Sequence, residues 1–154
     1  MARYFFDSSG IVKRYISETG TAWIQNLCLP SRGNDLYAAH VTGAEAVAAI
    51  RRRTRRGEIS STDAAAAITS LQSHLRQGYI PVFITESLAQ RAMSLVQAHR
   101  LRGYDAIQLA AALEIAAELS ALGFSSPIFV SADNDLNAAA TAEGLCVDNP
   151  NAHP

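Results

Sequence analysis

Four acids in the 154-residue chain stand where the pattern around them would hold a carboxylate still: Asp7, Glu45, Asp105 and Asp133. Asp7 follows the apolar run "YFF", Asp133 follows "IFVSA", and each opens a helical pattern. Glu45 falls in the first turn after the apolar run that ends at Val41. Asp105 opens "DAIQLAAALEIAAELSALG", a helix apolar on nearly every side and therefore of the buried kind. An acid at the head of a buried helix needs a reason. Carboxylates gathered at one place suit a hard divalent cation, Mg2+ or Mn2+, because oxygen ligands favour such ions. Like charges at close range cannot all stay ionised without one.

Each acid also has a plainer use. Asp is an ordinary helix N-cap. Thr42-Gly43-Ala44-Glu45 fits the capping box, and Asp105-x-x-Gln108 is a near variant of it. Asp7-Ser8-Ser9 and Asp133-Asn134-Asp135 read as caps whose charge complements the helix dipole. The two uses are compatible, since a cap fixes the direction of its carboxylate. Whether the four converge is a question for the fold.

The elements that must position them alternate along the chain. Strands are expected at 2–6, 35–41, 79–85, 126–132 and 145–147, with Pro81 marking 79–85 as an edge. Helices are expected at 8–18, 21–29, 42–56, 60–78, 86–100, 105–122 and 133–144, several punctuated by Ser, Thr or Asp before and Gly after. This alternation argues for an α/β three-layer sandwich around a mostly parallel sheet. In such a sheet, helix N-termini emerge beside the carboxyl ends of the strands, the edge where these folds take their ligands. The chain reads as one domain over 1–150, with 151–154 as a C-terminal tail.

Composition narrows the classes further. Hydrophobic residues make up 49% and charged residues 18%, which is globular rather than disordered. A net charge of −1 excludes a global field that draws the chain to nucleic acid, so any such binding needs a local patch. "MARYFFDSSG" reaches an acid and serines too soon for a signal peptide, and no apolar run approaches the ~20 residues of a membrane span. A cytoplasmic protein with no membrane partner is the expectation. Cys28 and Cys146 read as two buried thiols. His40, His74, His99 and His153 form no metal-type cluster, and there is no P-loop or dinucleotide fingerprint.

The succession "YFFDSSGIVKRY", "TGAEAVAAIRRR", "GYDAIQLAAAL", "FVSADNDLNAAATAEGL" resembles the PIN-domain ribonucleases, above all the VapC-type toxins of toxin–antitoxin modules. The resemblance runs from the first strand to about Pro150. It implies that Asp7, Glu45, Asp105 and Asp133 form a catalytic, metal-binding quartet, with Asp135 a nearby acid able to assist. It implies Mg2+ (or Mn2+)-dependent hydrolysis of RNA phosphodiester bonds, and a cognate VapB-like antitoxin as partner. Ser8 or Ser9 can orient a ligand carboxylate by a hydrogen bond, or simply cap.

Basic residues are candidates for RNA. Lys13, two turns into the first expected helix, either reaches a phosphate or is a solvated lysine. Arg51, Arg52, Arg53, Arg55 and Arg56 crowd one helix end, as a phosphate-binding patch or as cations complementing the dipole. The resemblance adds a third use for them, contact with an antitoxin. The apolar stripes at 60–78 and 86–99 are core, and any exposed remainder can serve a homodimer. Two other readings stay open. One is a metal-dependent hydrolase of small phosphate esters, although Asp7-Ser8-Ser9 lacks the second Asp of a haloacid-dehalogenase-type loop. The other is a non-catalytic RNA- or protein-binding module, which has no need of four converging acids.

Overall fold

The computed structural model describes residues 1–154. Five parallel strands, β1 (Arg3–Phe6), β2 (Asp35–Ala39), β3 (Ile80–Val82), β4 (Ile128–Val130) and β5 (Val147–Asp148), lie in the order β3-β2-β1-β4-β5. The helices are α1 (Ser8–Val12), α2 (Thr21–Leu27), α3 (Thr42–Arg55), α4 (Ser61–Gln77), α5 (Glu86–Ala98), α6 (Gly103–Ala121) and α7 (Asn134–Ala142). The expected three-layer α/β architecture is present, and the sheet is parallel throughout. Pro81 sits on the edge strand, where its missing N–H costs no ladder bond.

Adjacent residues of β1 explain the layering. Successive side chains of a strand point to opposite faces, and a parallel strand covered on both faces is apolar throughout. Phe5 and Phe6 are both fully buried. Phe5 stacks on Phe129 at 5.8 Å within the core formed with α5, α6 and α7. Phe6 meets Tyr79 edge-on at 5.9 Å within the core formed with α1–α4. Burying each such side chain contributes roughly 1.5–3 kcal/mol.

Several boundaries move, for local reasons. The first helix stops at Val12 rather than 18, and the chain turns through i→i+3 bonds from Arg14 to Ile11 and from Tyr15 to Val12. The sixth helix, α6, begins at Gly103, so Asp105 is in its first turn and Arg102 is its N-cap. The strands are shorter than expected because only part of each run pairs, and the last one shifts to Val147–Asp148, beyond its expected end. Cys28 is buried as expected, but Cys146 is exposed, since β5 starts only at Val147. The tail is docked: Pro150 is buried, and the His153 ring stacks on Trp23 at 4.0 Å while His153 Nε2 lies 2.7 Å from Asp148 Oδ1. No helix is long and apolar enough to cross a membrane.

Candidate active site at the carboxyl edge of the sheet

Chain order reverses between β1 and β4: β2 and β3 follow on one side of β1, β4 and β5 on the other. The carboxyl ends of strands at such a switch point frame the ligand crevice of parallel α/β sheets. Asp7 leaves β1 there and Asp133 leaves β4 two residues beyond Ser131. Their segments are tied together, since the Asp7 N–H donates to the Val130 carbonyl at 3.2 Å. Gly10 permits this approach. A Cβ at that position would lie 2.6 Å from the Val130 carbonyl oxygen.

Asp7 is 3% exposed. As N-cap of α1 it accepts the Gly10 N–H at 2.7 Å. Ser9 Oγ donates to both carboxylate oxygens, at 2.8 and 2.9 Å, and Ser131 Oγ donates to Oδ2 at 3.1 Å. Burial nevertheless dominates these bonds and pushes its pKa up to about 6. Of the two serines foreseen for this role, Ser9 fills it, while Ser8 faces the cleft described below. Ser131 was not foreseen. Its one signal was a hydroxyl at the end of an apolar strand, where a fully buried Ser must find a partner.

Glu45 and Gln108 overturn the capping reading of both their motifs. The N-cap of α3 is Val41, and no side chain caps the helix. Thr42 Oγ1 donates instead to Gln108 Oε1 at 3.0 Å, and Gln108 Nε2 donates to Glu45 Oε2 at 3.0 Å. The forgone cap would contribute about 0.5–2 kcal/mol. The residues that could have formed it bridge α3 to α6.

Asp105 is half-buried, and its pKa is raised first by burial, then by the charges of Asp133 and Glu45. Those three acids therefore share one electrostatic neighbourhood at the sheet edge. Asp133 is exposed and caps α7, its Oδ1 accepting the Leu136 N–H at 3.0 Å. Asp135 is exposed in the first turn of α7, lines neither cleft and is not among the charges acting on Asp105. As they lie, no three of the acids are close enough to hold one ion together. The coupling of Asp105 to its neighbours acts over a longer range than shared ligation. In chemical type the donor set fits a hard cation, being carboxylate oxygen throughout.

A cleft of about 710 Å³ runs from Ser8, Ser9 and Ala132 past Glu45 and along α3 to Arg56. A second, of about 690 Å³, shares Glu45, Arg52 and Tyr104 with it and is also lined by Asp105 and Arg102. Arg52 and Arg53 line the first cleft, whereas Arg51 and Arg55 are exposed away from both. Arg53 is already paired, 2.7 Å from Glu18 Oε2. Lys13 is not a solvated lysine, and it lines the first cleft beside Glu18. It is 4% exposed, its Nζ donating to the Thr19 carbonyl at 2.9 Å and lying 3.6 Å from Glu18 Oε1. The short α1 is what turns it inward.

No protein-family model and no curated protein matches the chain. Solved structures do. PAE2754 from Pyrobaculum aerophilum superposes with a TM-score of 0.64 at 16% identity, over 98% of this chain and 85% of its own. VapC20 of Mycobacterium tuberculosis, a sarcin-ricin loop cleaving toxin, gives a TM-score of 0.60 at 16% identity, over 98% and 99%. VapBC2 from Rickettsia felis, bound to a DNA fragment from their promoter, gives 0.57 at 13% identity, over 96% and 98%. Agreement of this extent across nearly the whole chain shows that the protein has the VapC-type PIN-domain fold.

Proposed function

We propose that the protein is a Mg2+- or Mn2+-dependent endoribonuclease and the toxin of a type II toxin–antitoxin pair. The observation that carries this reading is Asp105, held at the switch-point edge with its pKa lifted by both Glu45 and Asp133. Asp7, Glu45, Asp105 and Asp133 would hold the ion, with Asp135 a nearby acid able to assist. The bound ion would activate water and neutralise charge on the scissile phosphate. Ser9 and Ser131 fix the Asp7 carboxylate, and Gln108 fixes that of Glu45.

The cleft favours a polymer over a small phosphate ester. From Glu45 to Arg56 along α3 it extends about 16 Å at 1.5 Å per residue, room for more than one nucleotide. Arg52, free of any carboxylate and lining both clefts, is the cation best placed for a phosphate. Tyr104 is 50% exposed at the same junction and offers a face for base stacking. The decisive assay is cleavage of total RNA. Cutting is expected with Mg2+ or Mn2+ and none with chelator; undiminished cutting in excess EDTA would defeat the metal-dependent reading.

The toxin assignment rests on the shared fold, since the Rickettsia felis structure is of a VapBC pair. A VapB-like antitoxin and a homodimer are part of the proposal. The homodimer has support in Ile80, Phe83 and Ile84 at the β3 edge and in Met93 and Val96 on α5, all exposed. Expression alone is expected to arrest growth, and a small cognate protein to relieve it. Harmless overexpression of an active ribonuclease would remove the toxin half of the reading and leave the enzyme.

A further inference from the structure

Gln108 is an anomaly in α6. It is 1% exposed, on a helix whose buried neighbours Ala106, Leu109 and Ala112 are apolar. A primary amide in such surroundings is tolerated only when both of its ends are paired. Both are, and the pairing has one direction. Glu45 can only accept, so the amide nitrogen faces it. The amide oxygen is then left for Thr42, whose hydroxyl must donate. Thr42, itself fully buried, sits three residues before Glu45 on the same face of α3. The chain of bonds therefore leaves α3, passes through α6 and returns to α3 at the carboxylate.

Resting on the metal-site reading above, we infer that Thr42 and Gln108 are positioning residues that hold the Glu45 carboxylate in its ligating direction. A simple staple between α3 and α6 would have no need of Glu45, because Thr42 and Gln108 already join the two helices. The bond to Glu45 is the one that reaches the site. It also leaves Oε1 of Glu45 without a protein partner, available for an ion while Oε2 is held.

The test is direct Mn2+ binding to metal-free protein, read as the loss of the free-ion EPR signal. Gln108→Met keeps the length and volume of the side chain and removes both bonds. It is expected to weaken Mn2+ binding by about 10–100-fold, the usual effect of losing a partner that orients a metal ligand. Its kcat should fall while KM for RNA stays put. Thr42→Val, which removes no bond made directly to Glu45 and lies outside the clefts, is expected to weaken Mn2+ binding in the same direction, and Thr42→Ser to restore it. Melting in chelator separates positioning from stapling, because positioning predicts affinity loss beyond any loss of stability. The inference is overturned if Gln108→Met binds Mn2+ as wild type does. It is also overturned if Thr42→Ser and Thr42→Val are equally impaired. Wild-type protein that takes up no Mn2+ would instead bring down the metal-site reading itself.

Discussion

Asp7→Asn is expected to raise the melting temperature of the chelated protein at neutral pH while reducing ribonuclease activity to background. Burial lifts Asp7 from 3.8 to about 6, so the folded state holds this proton more tightly than the unfolded chain does. Between about pH 4 and pH 6 folding takes up a proton, and stability declines as the pH rises through that window. Above it the cost is complete, about 3 kcal/mol for roughly two pKa units at 1.36 kcal/mol each. Asparagine caps a helix as well as aspartate and carries no charge to bury. Removing the cost should therefore raise the melting temperature by about 6–12 °C, at 2–4 °C per kcal/mol for a chain of this size.

The surroundings of Asp7 accept the change. The asparagine oxygen can keep the Gly10 N–H, while its amide turns to the Ser131 hydroxyl. Ser9 Oγ and Ser131 Oγ are 3.3 Å apart, so the freed hydroxyl proton has an acceptor. Metal closes most of that gap. Wild type should gain about 2.7 kcal/mol when the ion is at 100 times its dissociation constant, and the mutant much less. Thermal melts of both proteins across pH, with EDTA and with Mn2+, decide it. Equal metal-induced shifts with activity retained would reduce Asp7 to a cap. A chelated mutant no more stable than wild type would mean that Ser9, Ser131 and Gly10 fully offset the burial.

What could be read in advance divides along a physical line. Strand and helix order came from apolar periodicity and from Ser, Thr, Asp and Gly punctuation, which are local, and the parallel sheet followed from their alternation. Asp7 and Asp133 were legible as acids on the ligand edge because each directly follows an apolar run. Glu45 and Gln108 were only half legible. Each sits in a sequence that satisfies a capping rule, yet their side chains meet residues 63 and 66 positions away in sequence. Tertiary pairing overrode the local option. The solvated reading of Lys13 failed for a similar reason, since its placement depends on a turn ending at Gly20, whose φ of 87° only glycine adopts freely. With Pro150 packed on that glycine, the C-terminal tail became part of the same wall of the site.

That wall carries the second large effect. Glu18→Ala is expected to destabilise the protein by about 3–5 kcal/mol, the range for leaving a buried charge without its partner. The stranded charge is Lys13, whose side chain is 5% exposed and would retain only the Thr19 carbonyl. At 2–4 °C per kcal/mol the melting temperature should drop by about 6–20 °C. Most of that loss belongs to the orphaned cation rather than to the ion pair, which a double-mutant cycle can separate. Lys13→Met alone leaves Glu18 held by Arg53 at 2.7 Å and should cost little. Adding Lys13→Met to Glu18→Ala should therefore restore more than half of the lost stability. Glu18→Ala also frees the Arg53 guanidinium on the cleft wall, so the salt dependence of RNA binding should steepen. For single-stranded RNA one added phosphate contact is worth about 0.7 in the log–log slope. If Glu18→Ala melts within a degree or two of wild type, Lys13 does not depend on Glu18 for its charge. If it melts low and Lys13→Met brings no recovery, the loss comes from the Arg53 side of the network.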